Sequence, residues 1–355
     1  MIHILHGFSN VDSEFKPRNL RQEVHYIESP RTKKRIVGWT IGCFRALYCS
    51  RRGETVFCWY DFQAVLLYWM CLLTFQRRNI GCLNILLKKK DTIQNRIVSK
   101  MYRKALMSKY FHASVTSYYY GELLKEWLCL DFNYTVIHDP YHEKWERKCE
   151  SLSHDIFVGG GNSRDWSFML EVAKQMSDVN FLFVMNSLDY RMYKEYITEN
   201  IKVKCNLPFN QFLQEMANSA IVAMPLTTEA PAGLLVLFQA AGSERFVITT
   251  STATTRAYIT SDRGCALERD VKQWKDAIRY YLLNEKERND KALKLHKFLK
   301  DVCGRDNFDS GIQKNRGLMR IKLLVKYLIG WLKCRFNHIE FGDCCYLGIN
   351  LNIIN

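Results

Sequence analysis

The sequence has no uninterrupted apolar run of the roughly 18–20 residues that a helix needs to cross a bilayer. Its strongest candidate, AVLLYWMCLLTF at residues 64–75, stops at twelve. That length suits a buried core helix or a segment dipping into an interface. The 13 cysteines show no C-x-x-C spacing, and Cys344 and Cys345 are the only close pair. With no cleavable signal pattern at the start, this scatter predicts reduced thiols in a cytosolic protein and argues against a cysteine metal site. No G-x-x-x-x-G-K-[ST] occurs, which excludes a P-loop at the level of motif. No RNA- or DNA-reading motif is present either.

What is present is a chain of ordinary globular composition, 48% hydrophobic and 25% charged over 355 residues. That length exceeds what one hydrophobic core usually serves, so two domains are expected. The net charge of +15 is uneven. Residues 1–140 hold 21 basic against 11 acidic residues, residues 141–315 hold 24 against 23, and residues 316–335 hold six basic and no acidic ones. Such a split points to a polyanionic partner, nucleic acid or anionic lipid, with a merely solvated surface as the plain alternative.

Strands alternate with helices along the chain. MIHILHGF, residues 54–60, residues 81–87, ASVTS and YTVIHDP read as strands, and residues 92–110 as a helix. A charged stretch at 141–153 reads as a linker. A second series follows: HDIFVGGG, VNFLFVMNS, NIKVKCNL, AIVAMPL and RFVITTS as strands, with helices between them and after the last. The fold class expected is α/β, two doubly wound parallel sheets, with ligands at the carboxyl ends of the strands.

Two loops on that edge carry chemistry. In FVGGGNSRDW, Gly159-x-Gly161-x-x-Arg164 resembles a dinucleotide fingerprint without its last glycine. Asn186 stands where an NAD site would want an acid, which speaks against NAD. The glycines still allow a sharp turn, and Arg164 is placed either to reach a phosphate or to lie solvated at a helix start. In TTEAPAGLLVLFQAAGSERFVIT, residues 227–249, a small-residue turn runs into an apolar helix from Gly233. The first amides of that helix lack intrahelical partners and suit a diphosphate. Glu229 stands one turn before them and Gln239 lies within the helix; each is a sugar- or ribose-binding candidate or an ordinary turn and helix residue.

The arrangement strand-MPL-x-x-EAPAGL-x-x-L-x-Q-A, followed by RFVITTSTATTRAYI, resembles the donor-binding core of GT-B glycosyltransferases of the family-4, retaining kind. The likeness covers residues 155–308. It implies two Rossmann-like domains facing a cleft: 1–140 for the acceptor, 141–153 as linker, 154–315 for the donor, and 316–355 as an appended segment. It also implies that the amides of Gly233, Leu234 and Leu235 hold a diphosphate, that Gly161 and Arg164 support it, and that Glu229 orients the transferred sugar as the catalytic residue. The family usually shows a second glutamate near the ribose. Gln239 takes its place, and GSERF replaces the usual glycine-lysine-proline run. Members of this kind transfer without a bound metal, so neither metal nor cofactor is expected.

In the first half, Asp61 follows a strand at the cleft edge and is an acceptor-side candidate, or else a helix N-cap. Gly7 and Asn10, after the first strand, are similar candidates. Residues 76–110 hold ten Lys or Arg and one Asp. On the helix expected there, Arg96, Lys100, Arg103 and Lys104 share one face, and Ile97, Val98, Met101 and Ala105 the opposite one. A basic amphipathic helix suits anionic headgroups, and equally a core-packed helix with a solvated outer face. GLMRIKLLVKYLIGWLKCRF at 317–336 repeats the theme. The tail HIEFGDCCYLGINLNII resembles one or two coils of a hexapeptide-repeat acyltransferase, too few to bury a core, so acyl transfer is not expected.

The expectation is therefore a cytoplasmic enzyme, peripheral on the inner face of the cell membrane. It moves a sugar from a nucleoside-diphosphate sugar to a lipid-linked or other surface glycan. A catalytically impaired nucleotide-sugar-binding relative is the alternative, and a polyanion-binding protein a second. Nucleic acid is set aside as a partner because the charge avoids the glycine-turn half.

Overall fold

The computed structural model describes residues 1–6 and 23–314. The central strands of each sheet are short, apolar and buried on both faces, as a parallel sheet covered by helices requires. In the first domain the order is β1 (Ile2–His6), β2 (Val24–Glu28), α1 (Arg35–Cys49), β3 (Thr55–Cys58), α2 (Asp61–Leu73), β4 (Asn79–Cys82), α3 (Ile93–Leu106), β5 (Phe111–Val115), α4 (Tyr118–Leu128) and β6 (Tyr134–Val136). The sheet runs β2-β1-β3-β4-β5-β6, all parallel. Its order reverses between β1 and β3, which makes their carboxyl ends the crevice of this half.

The second domain follows with β7 (His154–Gly159), α5 (Trp166–Lys174), β8 (Phe181–Met185), α6 (Ser187–Tyr193), β9 (Ile201–Cys205), α7 (Phe209–Ala217), β10 (Ser219–Met224), α8 (Leu234–Gly242), β11 (Phe246–Thr250), β12 (Cys265–Leu267), α9 (Val271–Leu283) and α10 (Glu285–Val302). Its sheet runs β12-β11-β10-β7-β8-β9, again all parallel. Numbered within the domain this is the dinucleotide-fold order, with its switch point between β7 and β10. The two loops singled out above, after β7 and after β10, are the two that flank it.

The strand expected over 81–87 is placed differently. Its ladder begins at Asn79 and ends at Cys82. Beyond Leu83 the chain leaves the sheet because the Leu86 amide donates to Asp61 Oδ2 at 2.8 Å, and Leu83, Ile85 and Leu87 bury their side chains without a ladder. The helix expected over 92–110 forms as α3, capped by the Thr92 hydroxyl accepting from the Asn95 amide. Arg96, Lys100, Arg103 and Lys104 are exposed, while Val98 and Met101 pack on the core and Ala105 is buried. Ile97 departs from its expected face and is 56% exposed.

The halves are joined by more than the linker. Ser117 Oγ donates to the Ala253 carbonyl at 2.7 Å, and Tyr258 Oη to the Thr116 carbonyl at 2.9 Å. The linker itself is anchored, with Trp145 buried and the Tyr141 amide donating to the Cys303 carbonyl. Residues 305–314 are helical, and from them Phe308 and Ile312 pack against Ile2, Ile4 and Phe57 of the first sheet. Gly7, Asn10, the 317–336 segment and the hexapeptide-like tail lie outside the described residues.

Candidate functional site

The loop after β7 is shaped by Gly160, whose φ of +100° excludes most side chains. A Cβ there would lie 2.8 Å from Arg164 Nη2 and 3.1 Å from Val236. Gly161, the glycine expected to matter, faces open space, with Asn186 Nδ2 its nearest neighbour at 3.8 Å from a built Cβ. The requirement for glycine therefore falls one residue earlier than the motif suggests, because it comes from the arginine folding back beneath the loop.

Arg164 is 7% exposed. Its backbone bridges Leu226 of the loop after β10, and its Nε and Nη1 have no hydrogen-bond partner. Asp165, beside it in sequence, is already engaged: one oxygen caps α5 through the Phe168 amide and the other takes Arg269 at 2.7 Å. Burial pushes the Arg164 guanidinium down to about 10. A buried cation with unmet donors is costly unless an anion joins it.

That anion's place is set by α8. Gly233 precedes the helix with φ +73° and caps it with no side chain. A Cβ on Gly233 would lie 3.9 Å from Arg164 Nη1. The amides of Leu234 and Leu235 open the helix without intrahelical acceptors, beside the guanidinium. Leu234 buries its side chain and Leu235 does not, which is immaterial to their amides. The arrangement therefore offers backbone N–H groups and one buried guanidinium to a single negative group at the switch point.

Glu229 lies on the same loop and is half-buried. Its Oε2 accepts the Ala253 amide at 2.5 Å, and its carbonyl accepts Thr254 Oγ1 at 2.9 Å. Ala230 and Ala253 belong to the core cluster of the first domain, so the acid is fixed where the halves meet. Gln239 sits in the second turn of α8, 6% exposed and without a side-chain hydrogen bond.

Asp61 is turned inward. Its Oδ1 accepts the Phe62 amide at 2.7 Å, its Oδ2 the Leu86 amide, and the Tyr102 hydroxyl donates to it as well. Burial raises its pKa against these bonds. Its carboxylate starts α2 and ties down the chain leaving β4.

One residue was missed by reading the sequence. Lys88 of the first domain reaches across and donates from Nζ to Ser163 Oγ at 2.6 Å, on the same loop that carries Arg164. Burial, and then the neighbouring Lys90, lowers its pKa. The run Lys88-Lys89-Lys90 gave a charge signal but no direction for it.

No family model and no curated protein matches the chain in sequence. Solved structures do match in fold. A sucrose-phosphate synthase from Thermosynechococcus elongatus superposes with a TM-score of 0.68 at 13% identity, covering 84% of each chain. HepE from Anabaena, solved with UDP-glucose, gives 0.63 at 10% identity over 83% of this chain and 85% of that one. A glycosyltransferase from Rickettsia africae gives 0.58 at 11% identity over 84% and 85%. The two-domain architecture is the GT-B fold.

Proposed function

We propose that this chain is a retaining glycosyltransferase that takes its sugar from a nucleoside-diphosphate donor. The observation that carries the reading is Arg164, a buried guanidinium with unmet donors beside the uncapped start of α8. In the proposed reaction the bond from the anomeric carbon to the diphosphate oxygen breaks and a bond to an acceptor hydroxyl oxygen forms. The hydroxyl proton leaves with the diphosphate. The guanidinium and the Gly233, Leu234 and Leu235 amides stabilise the charge developing on the departing group, in a site already organised for it. Glu229, fixed through Oε2, presents its carboxylate to sugar hydroxyls, and Gln239 offers an uncharged amide to the ribose. Lys88 adds a second positive charge to the diphosphate from the acceptor half.

HepE was solved with UDP-glucose and with UDP and glucose, which supports a nucleoside-diphosphate sugar as the class of donor. The basic first domain supports an acceptor held at an anionic membrane surface, a lipid-linked glycan. The test is thermal stabilisation by UDP-, GDP-, ADP-, CMP- and dTDP-sugars, followed by transfer assays with the donor that binds. A ligand at 100 times its Kd adds about 2.7 kcal/mol of stability. A shift with one nucleotide, its sugar-dependent part lost in Glu229→Ala, supports the assignment. No shift from any nucleotide in a folded protein overturns it. Binding without turnover identifies a nucleotide-sugar-binding relative instead.

A further inference from the structure

A helix on a protein surface ordinarily turns its charged residues outward and buries one apolar stripe. Helices α1 and α2 do not. α1 buries Gly38, Gly42, Cys43, Ala46 and Leu47 against its neighbours. Its opposite stripe, at the helical spacing 37, 41, 44 and 48, is Val37, Ile41, Phe44 and Tyr48, all exposed, Tyr48 at 93%. In α2 and the turn after it, residues 62–75 contain no charged residue at all. Leu66 and Trp69 are half-buried and pack against the first domain's core, while Leu73 and Phe75 are exposed.

The two helices lie side by side. Near the start of both helices the Trp39 ring lies 5.6 Å from Tyr60 and 6.0 Å from Phe62. At the far end Arg78, just past α2, donates from Nη2 to the carbonyls of Leu47 and Ser50 and closes α1. Tyr48 and Phe75 therefore stand at the same end. Phe75 also holds a left-handed backbone, φ +53°, where glycine or asparagine would be natural, and is 93% exposed. That backbone closes the C-terminal turn of α2, where the Gln76 amide donates to the Cys71 carbonyl at 2.9 Å.

The charge along these segments is mostly of one sign, with Glu28 and Glu54 at their edges. Residues 31–53 contain seven Lys or Arg and no acid, and residues 62–90 contain five and no acid. Lys33, Lys34 and Arg35 are exposed at one end of the patch, and Arg51, Arg52 and Arg77 at the other. Exposed apolar side chains with a basic rim match the interface of an anionic bilayer, where rings enter the headgroup boundary and cations meet phosphates. A second copy of the chain is a poorer occupant, because pairing the patches would set like charges rim to rim.

We propose that the outer face of α1 and α2, with Phe44, Tyr48, Leu73 and Phe75 as its inserting residues, docks the first domain onto an anionic lipid bilayer. This deepens the membrane part of the function proposed above and rests on it only for the location of the acceptor. The full-length chain is sedimented with phosphatidylcholine vesicles, with and without phosphatidylglycerol, beside the double variant Phe44→Glu/Phe75→Glu. The expected result is salt-sensitive binding to the anionic vesicles alone, weakened by about tenfold or more in the variant. Both side chains are exposed, so melting temperature and nucleotide-sugar stabilisation without vesicles should match wild type. The proposal is overturned if wild type ignores anionic vesicles, or if the variant binds them equally well. It is also overturned if the variant only converts a wild-type dimer to monomer. Failure of the donor site shows separately, as absent nucleotide stabilisation in both proteins with vesicle binding intact.

Discussion

The two halves are built to one plan, six parallel strands with helices between them, yet their outer helices differ in kind. In the second domain α10 is laced with ion pairs along its own length, Lys291 to Glu287 and Arg288 to Glu285, and Arg279 of α9 pairs with Asp178. In the first domain α1 carries a solvent-facing apolar stripe and α2 has no charge beyond its opening Asp61. The second half laces its last helices with ion pairs and places its costly feature, a buried guanidinium with unmet donors, at the switch point. The first half has its carboxylate at β3 turned inward and its costly feature, exposed rings, on the outside.

The sharpest break of this contrast is Arg164→Met. Removing the buried cation should leave stability unchanged or higher, since no acid among the described residues pairs with it. Donor affinity or turnover should fall by about 100-fold or more, as for loss of a charge-stabilising group; melting curves with and without the donor read both effects. Glu229→Ala comes next. It should keep the nucleotide-dependent part of the stabilisation and lower transfer by about 10- to 100-fold, the worth of a hydrogen bond to a charged group.

The junction between the halves offers a pH test. Burial raises the Asp139 carboxyl to about 6, above its ordinary 3.8. The folded state therefore holds this proton more tightly than the unfolded chain does. The charged form costs stability above about pH 6, and the cost vanishes below about pH 4. Asp139→Asn should accordingly raise Tm at pH 7 by the equivalent of at most about 3 kcal/mol, and by less at pH 5. The smallest effect is expected from Lys88→Gln, which removes a cation that reaches the glycine loop from the first domain. A few-fold rise in donor KM, greater at low salt and with little change in Tm, is expected for a partly solvated charge.

Much of this was legible in the sequence. The alternation of short apolar strands with helices, and with it the two parallel sheets, follows from local chemistry. The same holds for Thr92 capping α3, since a hydroxyl before a helix satisfies a nearby amide wherever the rest of the chain lies. Other features were not legible. Gly160 is constrained by Arg164 from below, Asp61 is claimed by the Leu86 amide 25 residues on, and Lys88 meets Ser163 75 residues away. The exposure of α1 was hidden as well, because an apolar helix in sequence reads as core until its neighbours are known.

Residue types and their spacing alone determined two α/β halves, an unevenly basic chain, and a helix start suited to an anion beside an acid. The tertiary structure alone decided that Arg164 is buried without a counter-charge, that Glu229 is fixed by the Ala253 amide at the seam between domains, and that the apolar sides of α1 and α2 face out. The division is physical. Periodicity and turn chemistry are set by residues a few positions apart, whereas burial and the pairing of a charge depend on segments that only the fold brings together.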